Sequence, residues 1–238
     1  MLDAIERIEV ASRGSWAHHM AMRYGAHGYL DPNHYSDQQK FTANLNTLRR
    51  EVNRSDAAFI THYRSTYNSP TLPPIWMVSE VVSFGLLSKW QSLLKRRADR
   101  KDIASAFGLG PTIYTKFLHH LATVRNLCAH HSRVWNRSLT VTPSLPTQPS
   151  DLALSVDRSA SRKIYNTLAI MAFVMDRVAP QSRWKQRLIT LLNENPVQDF
   201  AAMGFPQDWM SRPVWRVQPK PIKHRIIDWV YRRWGSGA

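Results

Sequence analysis

Proline at position 111 opens the run PTIYTKFLHHLATVRNLCAHHSRV, in which apolar residues return at steps of three and four. At about 100° per residue this places Ile113, Tyr114, Phe117, Leu118, Leu121, Val124 and Cys128 on one face. The run is expected to be a long amphipathic helix reaching about Val134, and its apolar stripe has to be covered by other elements. Pro111 suits the first turn of such a helix, while the GLGP before it stops a shorter one over Asp102–Phe107.

The rest of the chain repeats the same period. Leu2, Ile5, Ile8, Trp16 and Met20 mark a helix from Leu2 to about Met22. After the turn YGAHGYLDPNHY, the SDQQ run from Ser36 reads as a capping box leading into Phe41, Leu45, Leu48 and Val52. A third helix is expected over Asp56–Tyr67, ended by SPTLPP, and a fourth over Ile75–Leu94, with the basic stretch KRRADRK behind it. Residues 136–150 carry three prolines and no helical period, so they form an ordered loop or a linker. Two further helices, Ser159–Val178 and Ser182–Leu192, precede a Trp- and Pro-rich segment over Asn195–Trp215. The end, PIKHRIIDWVYRRW, reads as a short basic amphipathic helix packing Ile222, Ile226, Trp229 and Val230 against its own domain. No stretch alternates as a strand does and no repeat is present, so the class is all-α. One helical domain over residues 1–215 and a basic tail over 216–238 are expected.

Charge narrows the partners. Lys and Arg number 32 against 17 Asp and Glu, which attracts polyanions, nucleic acid foremost, with an affinity that falls as salt rises. The single cysteine, Cys128, excludes an internal disulfide framework and a thiolate-rich zinc site, and a reducing cytoplasm fits. The longest apolar run, Leu168–Met175, falls well short of the roughly 20 residues that cross a bilayer, and the opening MLDAIERIEV lacks the apolar centre of a secretion signal. No membrane partner is expected.

Opposite the apolar stripe of the Pro111 helix, His119, Thr123, Asn126, His130 and Arg133 form a polar ridge. A surface helix commonly carries such a ridge, and its dipole favours histidines near the carboxyl end. Yet no Asp or Glu occurs between Asp102 and Asp151, so Arg125, Arg133 and Arg137 have no local carboxylate and are available for phosphate. Trp135 is expected to be buried. Arg125 lies about 140° from His130 on an ideal helix, so bringing them together takes its long side chain, a distortion or a second chain. The pairs His18–His19, His119–His120 and His130–His131 suggest zinc, but neighbouring helical residues diverge and no thiolate or carboxylate accompanies them. Clustered carboxylates for a two-metal nuclease are missing as well. KRRADRK reads equally as an RNA-backbone track or as a solvated helix end.

VRNLCAHHSRVWNR resembles the R-x4-H motif of the HEPN superfamily, with Arg125 and His130 as its ends and Asn126 at the polar position after the arginine. Together with PIWMVSEVVSFGLLSKW upstream and MGFPQDWMSRPVW downstream it is similar to the Abi_2-type abortive-infection proteins, the AbiD and AbiF-like group. DAIERIEVASRG resembles an internal helix of that family, so the likeness runs from the first residues to about Trp215, and the segment that usually precedes this helix is missing here.

The resemblance implies a HEPN-like helical bundle with additional helices, metal-independent endoribonuclease activity without a cofactor, a homodimer with the motif at its interface, and a role as a toxin in phage defence. RNA is then the substrate, and a cognate antitoxin RNA or protein a further partner. Such cleavage needs proton transfer at the 2′-hydroxyl and at the 5′-oxygen, and a cation for the charge gathering on phosphorus. His130 suits the acid or base, Arg125 the clamp on the phosphate oxygens, and Asn126 a hydrogen-bonding group that orients His130 or the phosphate. Arg133, His119, Lys95, Arg96 and Arg97 are candidate RNA contacts, and His131 is expected to be structural. A non-catalytic RNA-binding component and a purely structural helical adaptor are the competing readings.

Overall fold

The computed structural model describes residues 1–194 and 199–216. Among them the chain forms ten α-helices and no strand: α1 Leu2–Tyr24, α2 Gln38–Asn53, α3 Ala58–Thr66, α4 Ile75–Val81, α5 Phe84–Leu93, α6 Arg97–Ser105, α7 Pro111–Ala129, α8 Ser150–Ala153, α9 Ile164–Val178 and α10 Trp184–Glu194. The all-α expectation holds. The tail helix expected over PIKHRIIDWVYRRW lies outside the described residues.

Helix α9 is the innermost element. Every residue from Ile164 to Met175 is buried, as expected of a helix that is apolar nearly all round. Around it α1 packs against α4, α6, α7 and α9, and α7 packs against α5 and α6. Trp90 anchors the opposite side, with Trp16, Tyr35 and Phe41 placing their ring centroids within 6.0 Å of its own. The apolar stripe of α7 faces this core: Tyr114, Phe117, Leu118, Leu121 and Val124 are buried, while Ile113 and Cys128 sit half-buried at its edges.

Several boundaries depart from the sequence pattern, most of them where a polar group takes over the local backbone. The cap of α2 is Asp37, whose carboxylate accepts from Lys40 N–H at 3.0 Å, and not Ser36, which donates its N–H and its hydroxyl to the Leu93 carbonyl. The expected Ile75–Leu94 helix is two helices. At the break Ser83 is extended and accepts from Leu86 N–H, while its own N–H and hydroxyl donate to Glu51 of α2 at 2.7 and 2.9 Å. Helix α6 starts at Arg97, inside KRRADRK, instead of at Asp102. Helix α9 starts at Ile164 instead of Ser159, since the Asn166 side chain takes Asp157 N–H and donates to the Asp157 and Ala160 carbonyls, holding 157–163 as a turn. Helix α10 starts at Trp184, with Ser182 Oγ accepting its N–H, and the short α8 has no counterpart in the pattern.

Asp99 explains the early start of α6. It is wholly buried, and its carboxylate accepts from Tyr24 O–H at 2.7 Å and lies 3.2 Å from both His19 Nε2 and Arg23 Nε, tying α6 to the end of α1. Removing one member of a buried charged cluster leaves the others desolvated and unpaired. Asp99→Ala should therefore lower the unfolding free energy by about 3 kcal/mol in chemical denaturation, whereas Lys40→Ala, which breaks only an exposed ion pair with Asp37, should change it little.

Candidate functional site

Helix α7 stops at Ala129, five residues short of the expected Val134, and the stop has a recognisable form. His131 adopts φ 53°, the left-handed region; its N–H donates to the Cys128 carbonyl at 3.1 Å and Ser132 N–H to the Leu127 carbonyl at 2.8 Å. These are the two bonds of a Schellman cap, with histidine where glycine is usual. His130 is the C-cap, its N–H still donating to the Asn126 carbonyl at 3.0 Å. The polar ridge thus ends at His130, and Arg133 follows beyond the turn.

Arg125, Asn126 and His130 all expose their side chains at this capped end. The Arg125 guanidinium folds sideways along its own helix until Nη1 reaches Asn126 Oδ1 at 3.5 Å, the limit of a hydrogen bond. Side-chain length therefore carries the guanidinium from its own position towards the ridge, and no bond or ion pair joins Arg125 to His130. Arg125, Arg133 and Arg137 have no carboxylate ion pair among the described residues. On the inner side, Met1 Sδ lies 3.7 Å from Cys128 Sγ, so the start of α1 supports the last turn of α7.

One expectation is overturned beside the motif. Trp135 is 45% exposed, because a turn closed by Arg137 N–H on the Val134 carbonyl throws the indole outwards while Leu139 fills the core. His131 is exposed as well, and its structural role lies in its backbone angle and not in packing. The expected RNA contacts divide. His119 and Arg133 are exposed on or just beyond the ridge, whereas Lys95, Arg96 and Arg97 are exposed at the other end of α7, where Arg97 flanks an open cleft with Lys101 and Pro111. With 19 residues α7 is about 28 Å long, so Pro111, which shares the cleft with Arg97, lies well away from the capped end.

The sequence singles out His120 only as one member of a histidine pair, and its buried role is found in the structure. Its place one step from Phe117 and Val124, at the edge of the apolar stripe, is the signal that marks it as buried. It is fully enclosed, with Nδ1 2.8 Å from the Val141 carbonyl and Nε2 2.8 Å from the Thr167 hydroxyl. A carbonyl can only accept, so Nδ1 carries the hydrogen and Nε2 accepts from Thr167. Burial, assisted by neighbouring His119, pushes its pKa down to about 4 against the Val141 bond. It fastens α7 both to the 136–149 loop and to α9, and the loop is accordingly ordered, with Leu139, Pro143 and Pro146 buried. The three histidine pairs diverge, and among the described residues no three His, Cys, Asp or Glu side chains converge as a metal-binding set.

The sequence model of the Abi-like protein family matches residues 1–136, more than half of the chain. The match takes in α1 to α7 and the whole Arg125–His130 stretch and ends one residue after Trp135. No curated protein and no solved structure matches the chain significantly.

Two outcomes follow from this geometry. His131→Gly relieves the left-handed cost of a side chain at φ 53° and should raise stability by about 0.5–1 kcal/mol, whereas the β-branched His131→Val should lower it, both read by chemical denaturation. For His120 the folded pKa of about 4 lies below the ordinary 6.5, so the unfolded chain binds more protons between those values. The contribution is complete above about pH 6.5 and is lost as pH falls towards 4, amounting to about 2 kcal/mol between pH 7 and pH 5. Denaturation curves at the two pH values should show a clearly smaller loss for His120→Gln than for the native chain.

Proposed function

The chain belongs to the Abi-like family, and on that premise we propose that it is a metal-independent endoribonuclease of HEPN type, AbiD and AbiF-like, acting in the cytoplasm as an abortive-infection toxin against phage. One observation carries the reading: Arg125, Asn126 and His130 are gathered and exposed at the capped end of α7, and no carboxylate is ion-paired with any of them among the described residues. An Arg held by a carboxylate would already be neutralised; this one keeps its charge and its planar fork for a phosphate.

The chemistry follows from these groups. A base takes the proton of the 2′-hydroxyl, the 2′-oxygen bonds to phosphorus, the bond from phosphorus to the 5′-oxygen breaks, and an acid protonates the departing oxygen. The products are a 2′,3′-cyclic phosphate and a 5′-hydroxyl. His130 serves one proton transfer, Arg125 stabilises the negative charge on the non-bridging oxygens, and Asn126 orients Arg125, whose guanidinium it meets at 3.5 Å. Two proton transfers call for two groups. A homodimer with its axis beside the ridge would supply a second His130 and Arg125, which also removes the need for Arg125 to reach His130 of its own chain. Arg133 and His119 extend the RNA contact along α7, and Lys95, Arg96 and Arg97 lie at its far end. Restraint by a cognate antitoxin RNA or protein belongs to the same reading.

Purified protein incubated with mixed RNA in EDTA should cut it and leave cyclic-phosphate ends; a strict magnesium requirement would sink the mechanism. His130→Ala should lose at least about 100-fold in rate with RNA binding largely kept, Arg125→Lys should stay impaired because it lacks the fork, and Asn126→Ala should cost less than either. Mixing His130→Ala with Arg125→Ala chains should partly restore cutting where each site draws the two residues from opposite chains. A fully active monomer refutes the composite site, and binding without any cutting favours the non-catalytic RNA-binding component.

A further inference from the structure

Trp135 is exposed in a part of the chain rich in cations, of which the proposed cleavage draws on Arg133 alone. Arg133 and Arg137 flank it in the chain, and both are exposed. The 157–163 turn brings three more cations to the same loop: Lys163 Nζ donates to the Asn136 carbonyl at 3.4 Å, Arg162 Nε to the Leu139 carbonyl at 3.2 Å, and Arg158 Nη2 to the Pro146 carbonyl at 2.9 Å. A carbonyl satisfies a donor without cancelling its charge. None of the five is in a carboxylate ion pair among the described residues, and Asp157, the acid in this turn, has Oδ1 engaged by the N–H and hydroxyl of Ser159. Asp157 keeps its charge in the same way, so five cations stand against one carboxylate in this loop and turn, and the local excess is positive.

This surface is also rigid. Leu139 N–H donates to the Arg162 carbonyl at 2.9 Å, so the loop and the turn hold each other from both sides, and Leu139 is anchored in the core. A single exposed apolar residue is unremarkable on most surfaces. An exposed indole on an ordered turn, with cations next to it in the chain and on the turn that binds its loop, is different: it offers a flat face for a base with charge nearby for the phosphates, the arrangement by which unpaired strands are held. A duplex does not fit, because its bases already stack on both faces.

We propose that Trp135 is a stacking platform for an unpaired base of single-stranded RNA, with Arg137, Arg162 and Lys163 as its phosphate contacts. Trp135 lies five residues after His130, so a strand held there passes no more than about 17 Å from the motif. The inference shares with the nuclease reading only its ligand, RNA, and stands or falls on binding.

The test uses the full chain carrying His130→Ala, so that RNA is not consumed, and fluorescence anisotropy with an unpaired oligoribonucleotide and with an RNA duplex. Adding Trp135→Ala should weaken single-strand binding about 5- to 100-fold and leave the duplex unaffected, with Trp135→Phe retaining most of the affinity. Arg137→Gln should reduce the slope of log affinity against log salt by about 0.7, one phosphate contact on a single strand. Unchanged single-strand affinity for Trp135→Ala, an equal loss on the duplex, or dissociation of a dimer into monomers would each overturn the platform, the last by making Trp135 an interface residue. If the native chain cuts no RNA but Trp135→Ala still loses single-strand affinity, the nuclease reading fails and the platform stands.

Discussion

Burial of the inner face of α7 is the constraint on which the functional end of the molecule depends. Tyr114, Phe117, Leu118, Leu121 and Val124 are locked into the core against α1, α5 and α6. His120 adds polar ties to Val141 and Thr167. A helix held this way along its length cannot rotate, so its outer ridge and the direction in which its last turn emerges are settled together. The Schellman cap then acts locally: it closes the helix at Ala129, leaves His130 at the C-cap, and sends the chain through Trp135 into a loop that the 157–163 turn holds from outside.

Charge is distributed to match. Many of the protein's carboxylates are committed to tying elements together: Asp99 joins α6 to α1, Glu51 joins α2 to the start of α5, Asp176 binds the buried Lys185, and Asp3 meets Arg187 of α10. The stretch from Asp102 to Asp151 contains none. The excess of Lys and Arg is therefore left uncancelled where α7 ends and the following loop turns back. That local surplus, more than the formal net charge of +15, suits the region to a polyanion.

The legible part of the fold was the part written in local periodicity. The stripes of α1, α2, α7 and α9 follow from spacing alone, because burying one face of a helix is enough to impose that spacing. Two departures arise where a helix end is decided by a partner remote in the chain: Ser83 by Glu51, 32 residues away, and the start of α6 by His19, 80 residues from Asp99. At the candidate site, the identities of Arg125, Asn126 and His130 and the absence of acids around them were open to reading. The exposure of Trp135 was not, since nothing within its own neighbourhood records that Leu139 would take the core position.

The sequence by itself determined an all-helical chain, a strongly basic one, with an arginine, an asparagine and a histidine closing its longest amphipathic run after Pro111. It did so because residue type and spacing are local quantities that burial and charge act on directly. Only the tertiary structure decided that the run stops at Ala129, that His120 is the buried member of its pair and His119 the exposed one, and that Lys95, Arg96 and Arg97 stand at the opposite end of α7 from His130. Those outcomes depend on which groups from elsewhere in the chain arrive to accept a hydrogen bond or fill a space, and on the left-handed backbone that His131 adopts to let the chain turn away.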